Sequence, residues 1–134
     1  MPAPPKTLLA IEDVPANLAL LRAILEPAGY VVCDAPTLAA GRNAIEQAPP
    51  ALVLLDVRLP DGNGLDLVRE MRMRPDQATI PVLAVSASVL PADKAEAFTA
   101  GCSAFLAKPL RAAKLLETVR ALLAPPTPPS LPSP

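Results

Sequence analysis

Four polar signals in this 134-residue chain each stand at the end of a short apolar run. Asp56 follows Ala51-Leu52-Val53-Leu54-Leu55, with Pro60 and Gly64 after it at even spacing. Glu12 and Asp13 follow Thr7-Leu8-Leu9-Ala10-Ile11, Ser86 follows the run from Ile80 to Val85, and Lys108-Pro109 follow the run from Cys102 to Ala107. Carboxylates bind cations or attack as nucleophiles, a hydroxyl donates a hydrogen bond, and an ammonium neutralises negative charge. Histidine is absent, which excludes Ser-His-Asp and Cys-His catalytic arrangements and any His-ligated metal. A cation bound by these groups must therefore be held by oxygen.

Such groups make a site only if the fold gathers them. Short apolar runs bounded by turn residues read as strands buried on both faces, so each polar group emerges where a strand meets its loop. In an open parallel sheet those ends converge on one crevice, where ligands bind. Strand and helix signals alternate five times, which implies right-handed parallel crossovers and a three-layer α/β sandwich, though alternation does not fix strand order.

The helices have legible boundaries. Pro15 suits the first turn of a helix whose Leu18, Leu21 and Leu25 share a face, ended by Pro27 and Gly29. A strand spans Tyr30 to Ala35. Thr37 caps a helix running to about Gln47, and Pro49-Pro50 break the chain before the Asp56 strand. Residues 58 to 64 read as a loop. Leu65, Val68 and Met71 place the next helix on the sheet, closed by Pro75 and Asp76. The segment from Pro91 to Ala100 has Phe98 as its one large apolar residue and reads as the least firmly anchored helix. In the last helix Leu115, Leu116, Val119, Leu122 and Leu123 recur at helical spacing before Pro125.

At 51% apolar content the chain can bury one core, while a net charge of −1 gives no basic field for a phosphate backbone. The expected organisation is a flexible N-terminus over 1–5, one folded domain over 6–123 and a Pro-rich disordered tail over 124–134. No apolar run approaches the roughly 20 residues of a membrane span, and the first residues lack a signal peptide's apolar core. The expectation is a cytoplasmic protein with no direct nucleic-acid or membrane partner. Cys33 and Cys102 each lie in an apolar run and read as buried, reduced thiols.

In order and approximate spacing, Glu12-Asp13, Asp56 with Pro60 and Gly64, Ser86-Ala87 and Lys108-Pro109 resemble the receiver domain of two-component response regulators, over about residues 6 to 123. The resemblance implies a doubly wound, flavodoxin-like five-stranded parallel sheet of order 2-1-3-4-5 with helices on both faces. It implies an aspartyl-phosphate switch in a phosphorelay, with a sensor histidine kinase or phosphotransfer protein as donor and a downstream target protein as output. By position, Asp56 matches the phosphoacceptor. Asp13, Asp56 and the backbone carbonyl of Arg58 match ligands of Mg²⁺, with Glu12 acting mostly through water. Lys108 matches the charge-neutralising lysine, Ser86 the hydroxyl that moves toward the phosphoryl group, and Phe105 the aromatic that turns inward with it. Such a protein catalyses only its own phosphorylation and dephosphorylation and is otherwise no enzyme. A finer similarity, to short cell-cycle regulators of the DivK type, is carried by the run from Ile80 to Val85, Gly101-Cys102, Lys108-Pro109 and the stretch from Leu116 to Val119, with a chemotaxis-regulator-like or stress-relay role as the open alternatives.

Electrostatics agrees with the assignment. Two carboxylates about 4 Å apart repel by roughly 4 kcal/mol at an effective dielectric near 20, so three in one crevice need a cation or raised pKa values. A hard divalent ion that keeps several waters suits such a set. Taken singly, each residue has an ordinary reading: Asp13 as a helix cap, Ser86 bonded to its own loop, Lys108 as a solvated charge, Phe105 as core. Only the joint pattern favours a site. A phosphorylation-independent adaptor of the same fold is the main alternative. A flavodoxin-like cofactor protein is disfavoured, because the loop Glu12-Asp13-Val14-Pro15 is acidic and glycine-free where a phosphate would sit.

Overall fold

The computed structural model describes residues 4–87 and 90–124. The expectations for both termini fall largely on residues 1–3 and 125–134, outside the described residues. Five strands, β1 (Thr7–Ile11), β2 (Val31–Ala35), β3 (Leu52–Asp56), β6 (Val82–Ser86) and β7 (Ala104–Ala107), form one parallel sheet. Its order is β2-β1-β3-β6-β7. Counted among these five alone, that is 2-1-3-4-5, the doubly wound order. Among the described residues five helices connect and flank it: α1 (Pro15–Leu25), α2 (Leu38–Gln47), α3 (Gly64–Met73), α4 (Pro91–Ala100) and α5 (Ala112–Leu123).

Period-two alternation divides the core into two. Leu9, Ile11, Val53, Leu55, Val82 and Ala84 point to one face and pack with α2, α3 and α4. Their neighbours Leu8, Ala10, Leu52, Leu54, Leu83 and Val85 point to the other, where α1 and α5 bring Leu21, Leu25, Leu115 and Val119. Central strands buried on both sides need unbroken apolar runs, and β3 is buried through Leu55 and only half-buried at Asp56. Polarity therefore begins where the strand leaves the core.

Caps set where the helices start. Pro15 opens α1, and Thr37 Oγ1 accepts a hydrogen bond from the Ala40 N–H at 3.1 Å. Asn63 Oδ1 accepts from the Leu65 N–H at 2.9 Å to start α3. The segment expected to be a plain loop, 58 to 64, is more ordered: Arg58–Leu59 (β4) and Gly62–Asn63 (β5) pair antiparallel, and α3 begins at Gly64 itself. Gly64 is required there, because a Cβ would lie 2.7 Å from the Asp56 carbonyl oxygen.

One further reading changes. Cys33 is exposed rather than buried, because β2 is an edge strand whose outer side chains reach solvent, whereas Cys102 is buried as expected. Burial pushes the Cys102 thiol up to about 11. Phe98 is 45% exposed, so it does not anchor α4, which buries only Ala97 and Ala100. The C-terminal end of α4 is held instead by Arg72, whose Nε donates to the Gly101 carbonyl at 2.9 Å. Ion pairs Arg42–Glu70 and Arg74–Glu46 tie α2 to α3, and Arg69–Glu96 ties α3 to α4. No described helix is long and apolar enough to cross a membrane.

Candidate functional site

Strand register brings the chemistry together. Ile11 pairs with Leu55, Asp56 with Val85 and Ser86 with Ala107, so the four strands end nearly flush. Glu12, Asp56, Ser86 and Lys108 therefore sit side by side at one rim of the sheet. Backbone bonds extend the alignment past the strands: the Glu12 N–H donates to the Ala35 carbonyl at 3.0 Å, and the Lys108 N–H to the Ser86 carbonyl at 2.8 Å.

Lys108 Nζ donates to Asp56 Oδ2 at 3.0 Å and to Glu12 Oε2 at 3.4 Å. Burial pulls the Lys108 ammonium pKa down, but the hydrogen bond it donates to Asp56 and the charges of Asp56 and Glu12 outweigh it and hold the group above the ordinary lysine value. The other Asp56 oxygen, Oδ1, accepts from the Arg58 N–H at 3.0 Å. Two donors thus fix the rotation of the carboxylate. Glu12 is 6% exposed, and its Oε1 accepts from the Val14 N–H and from Asn17 Nδ2, each at 3.2 Å.

Asp13 is exposed at the mouth of the site. The reading of Asp13 as a helix cap fails, because the N-cap of α1 is Val14, with no side-chain cap bond. One carboxylate oxygen each from Glu12, Asp13 and Asp56 lie within 4.8 Å of one another. Among the described residues one ammonium, that of Lys108, stands at hydrogen-bonding distance of these three carboxyl groups, so their formal charge exceeds its own. An all-oxygen, net-negative, partly open donor set fits a hard divalent cation.

Two cavities flank this cluster. One, of about 340 Å³, lies between α1 and the segment before α5 and is lined by Glu12, Asp56 and Lys108 with Leu20, Leu54 and Leu110. The other, of about 500 Å³, lies toward α3 and α4 and takes in Arg58, Asn63, Ser86, Glu96 and Phe105. Ser86 is buried, and Phe105 is half-buried against the core of that face. The hydroxyl and the aromatic thus share a cavity beside the acidic cluster rather than lining the one that holds Asp56. The Lys108–Pro109 peptide is cis.

Three residues that sequence reasoning passed over support the site: Asn17, which orients Glu12; Asn63, which caps α3; and Asp61, which accepts from the Leu38 and Ala39 N–H groups. Asn63 carries a readable signal, a capping residue just before a helix. Asn17 bonds a residue five positions earlier and Asp61 reaches 22 and 23 positions back, and neither carries such a signal.

A family model described as the response regulator receiver domain matches residues 8–120. The polar-differentiation response regulator DivK of Brucella anthropi is 28% identical over 119 residues, spanning 89% of this chain and 97% of that protein. The aerobic respiration control sensor protein ArcB of Escherichia coli K12 is 39% identical over 124 residues, which cover 90% of this chain but only 15% of that sensor. A crystal structure of a response regulator from Chloroflexus aurantiacus superposes with a TM-score of 0.86 at 31% identity, covering 89% of this chain and 98% of that one. The receiver domain of a sensor histidine kinase from Pseudomonas aeruginosa PAO1, solved with magnesium coordinated in its active site cleft, gives 0.82 at 28% identity over 89% and 98% of the two chains.

Proposed function

The chain belongs to the response regulator receiver domain family, and from that premise we propose that it is a phosphoryl-accepting switch of a two-component phosphorelay, with Asp56 as the acceptor. The observation that carries this reading is the Lys108 ammonium 3.0 Å from Asp56 Oδ2, inside a cluster of three carboxylates within 4.8 Å. An oxygen nucleophile, a cation beside it and an acidic metal cradle are what phosphoryl transfer to a carboxylate uses.

A carboxylate oxygen of Asp56 attacks the phosphorus of a phosphohistidine on a partner kinase or phosphotransfer protein. The P–N bond breaks, its electron pair goes to the departing imidazole, and an acyl phosphate remains on Asp56. Lys108 neutralises phosphoryl oxygens through the transfer, already held in place by Asp56 and Glu12. Asp13, Asp56 and the Arg58 backbone carbonyl would hold Mg²⁺, with Glu12 acting through water. When bound, that ion supplies positive charge to the phosphoryl oxygens. The protein then catalyses only its own phosphorylation and dephosphorylation.

The product carries about −1.5 to −2 charges beside Lys108, in place of the single charge of the carboxylate. Ser86 is the hydroxyl placed to answer that charge, with Phe105 moving in the same cavity. Moving a two-state equilibrium from 1:99 to 99:1 takes about 5.5 kcal/mol, and one hydrogen bond to a charged group gives roughly 1.5 to 3. Several contacts must therefore shift together, and α4, which buries only two alanines, with β7 and α5 is the face that changes toward a target protein.

The test incubates the chain with Mg²⁺ and a small acyl phosphate and reads intact mass. Addition of one phosphoryl group to the native chain and none to Asp56→Asn is the expected result. A native chain that takes up no phosphoryl group, and whose amide spectrum ignores both Mg²⁺ and beryllofluoride, would instead be an adaptor that signals by docking alone.

A further inference from the structure

We propose that Asp61 is a positioning residue for the metal-binding loop: by clamping the β4–β5 turn to the start of α2, it holds Arg58 where its backbone carbonyl serves the cation. The inference rests on the reading of Glu12, Asp13, Asp56 and Arg58 as an Mg²⁺ site.

The clamp has two bonds. Asp61 Oδ1 accepts from the Leu38 N–H at 2.9 Å and Oδ2 from the Ala39 N–H at 3.1 Å. These are the first two residues of α2, whose N–H groups have no partner within the helix. Thr37 takes the third, that of Ala40. A carboxylate there also meets the positive end of the helix dipole. The adjacent Gly62 packs on the same helix start: at its φ of +146° a side chain is strained, and a Cβ would already lie 3.4 Å from Leu38 Cδ1.

The hairpin is fixed at its base as well. The Arg58 N–H donates to Asp56 Oδ1 at 3.0 Å, and the Gly64 N–H donates to the Val57 carbonyl at 2.7 Å. Between base and tip there are only two ladder positions, Arg58 with Asn63 and Leu59 with Gly62. Two short strands do not hold their own shape in water. Leu59 packs on the core from within the hairpin, and Asp61 is the side chain that ties its far end to the start of α2.

Groups that orient metal ligands from outside the coordination sphere commonly change affinity by about 10- to 100-fold. We expect Asp61→Ala to weaken Mg²⁺ binding by about tenfold, measured by amide chemical shifts of the full chain. Asp61→Asn, which keeps one acceptor oxygen, falls between Asp61→Ala and the native chain. Thr37→Ala removes a cap from the same helix without touching the hairpin and leaves Mg²⁺ affinity unchanged. By linkage, Mg²⁺ slows amide exchange at Leu38 and Ala39 in the native chain and not in Asp61→Ala. Native Mg²⁺ affinity in Asp61→Ala, or an equal loss in Thr37→Ala, would overturn the proposal. A native chain that binds no Mg²⁺ overturns the reading of the acidic cluster first, and the role of Asp61 with it.

Discussion

Lys108 Nζ lies 3.0 Å from Asp56 Oδ2 although 52 residues separate the two in the chain. The ammonium thus already sits on the carboxylate proposed as phosphoryl acceptor, and its positive charge opposes that of any cation brought to the same acidic cluster. On the proposed function, one side chain has opposite effects on phosphoryl transfer and on cation binding.

Lys108→Met keeps the length of the side chain and removes its charge. Autophosphorylation by a small acyl phosphate should slow by about 100-fold, the lower range for deleting one preorganised donor to a developing negative charge. Mg²⁺ affinity should rise, since a competing cation is gone. An unchanged phosphorylation rate would remove Lys108 from the mechanism.

Gly64→Ala places a methyl group 2.7 Å from the Asp56 carbonyl oxygen, which is backbone and cannot rotate away. Destabilisation of about 1 to 3 kcal/mol is expected, read from urea midpoints at constant slope. A midpoint equal to that of the native chain would mean that the start of α3 yields more easily than its contacts imply.

Leu115 on α5 is fully buried, while Phe98 on α4 is 45% exposed. Leu115→Ala should cost about 2 to 5 kcal/mol and Phe98→Ala at most about 0.5. The usual rule that the larger side chain matters more is reversed here. Equal losses would indicate that Phe98 is covered in solution.

The Leu38 N–H, then the Ala39 N–H, hold the Asp61 carboxyl below its ordinary value of 3.8. A group whose pKa is lowered by folding contributes stability above its unfolded pKa and loses it as pH falls through the folded value. Thermal midpoints of the native chain should therefore drop more steeply below about pH 4 than those of Asp61→Asn. Parallel profiles would show that the clamp does not depend on charge.

Much of this architecture is readable from residue order because it rests on local signals. The apolar runs end where the strands leave the core, Thr37 caps α2, and the leucines of α5 keep a helical period. Strand order is not local, and so the exposure of Cys33 on the edge strand β2 escapes a reading that sees only an apolar run. Asp61 escapes for the same reason: its partners are 22 and 23 residues away, and an aspartate after proline reads as ordinary turn chemistry. The two-residue strands β4 and β5 are too short for any alternation to show.

The flush strand ends also make the site an inspector of its own assembly. Successive residues along a strand advance about 3.3 Å, so a slip of β7 by one position against β6 would carry the lysine ammonium out of reach of its carboxylate and turn Phe105 to the opposite side. On the proposed chemistry misaligned chains are mute, and any molecule that accepts a phosphoryl group has certified the pairing of β6 with the edge strand β7.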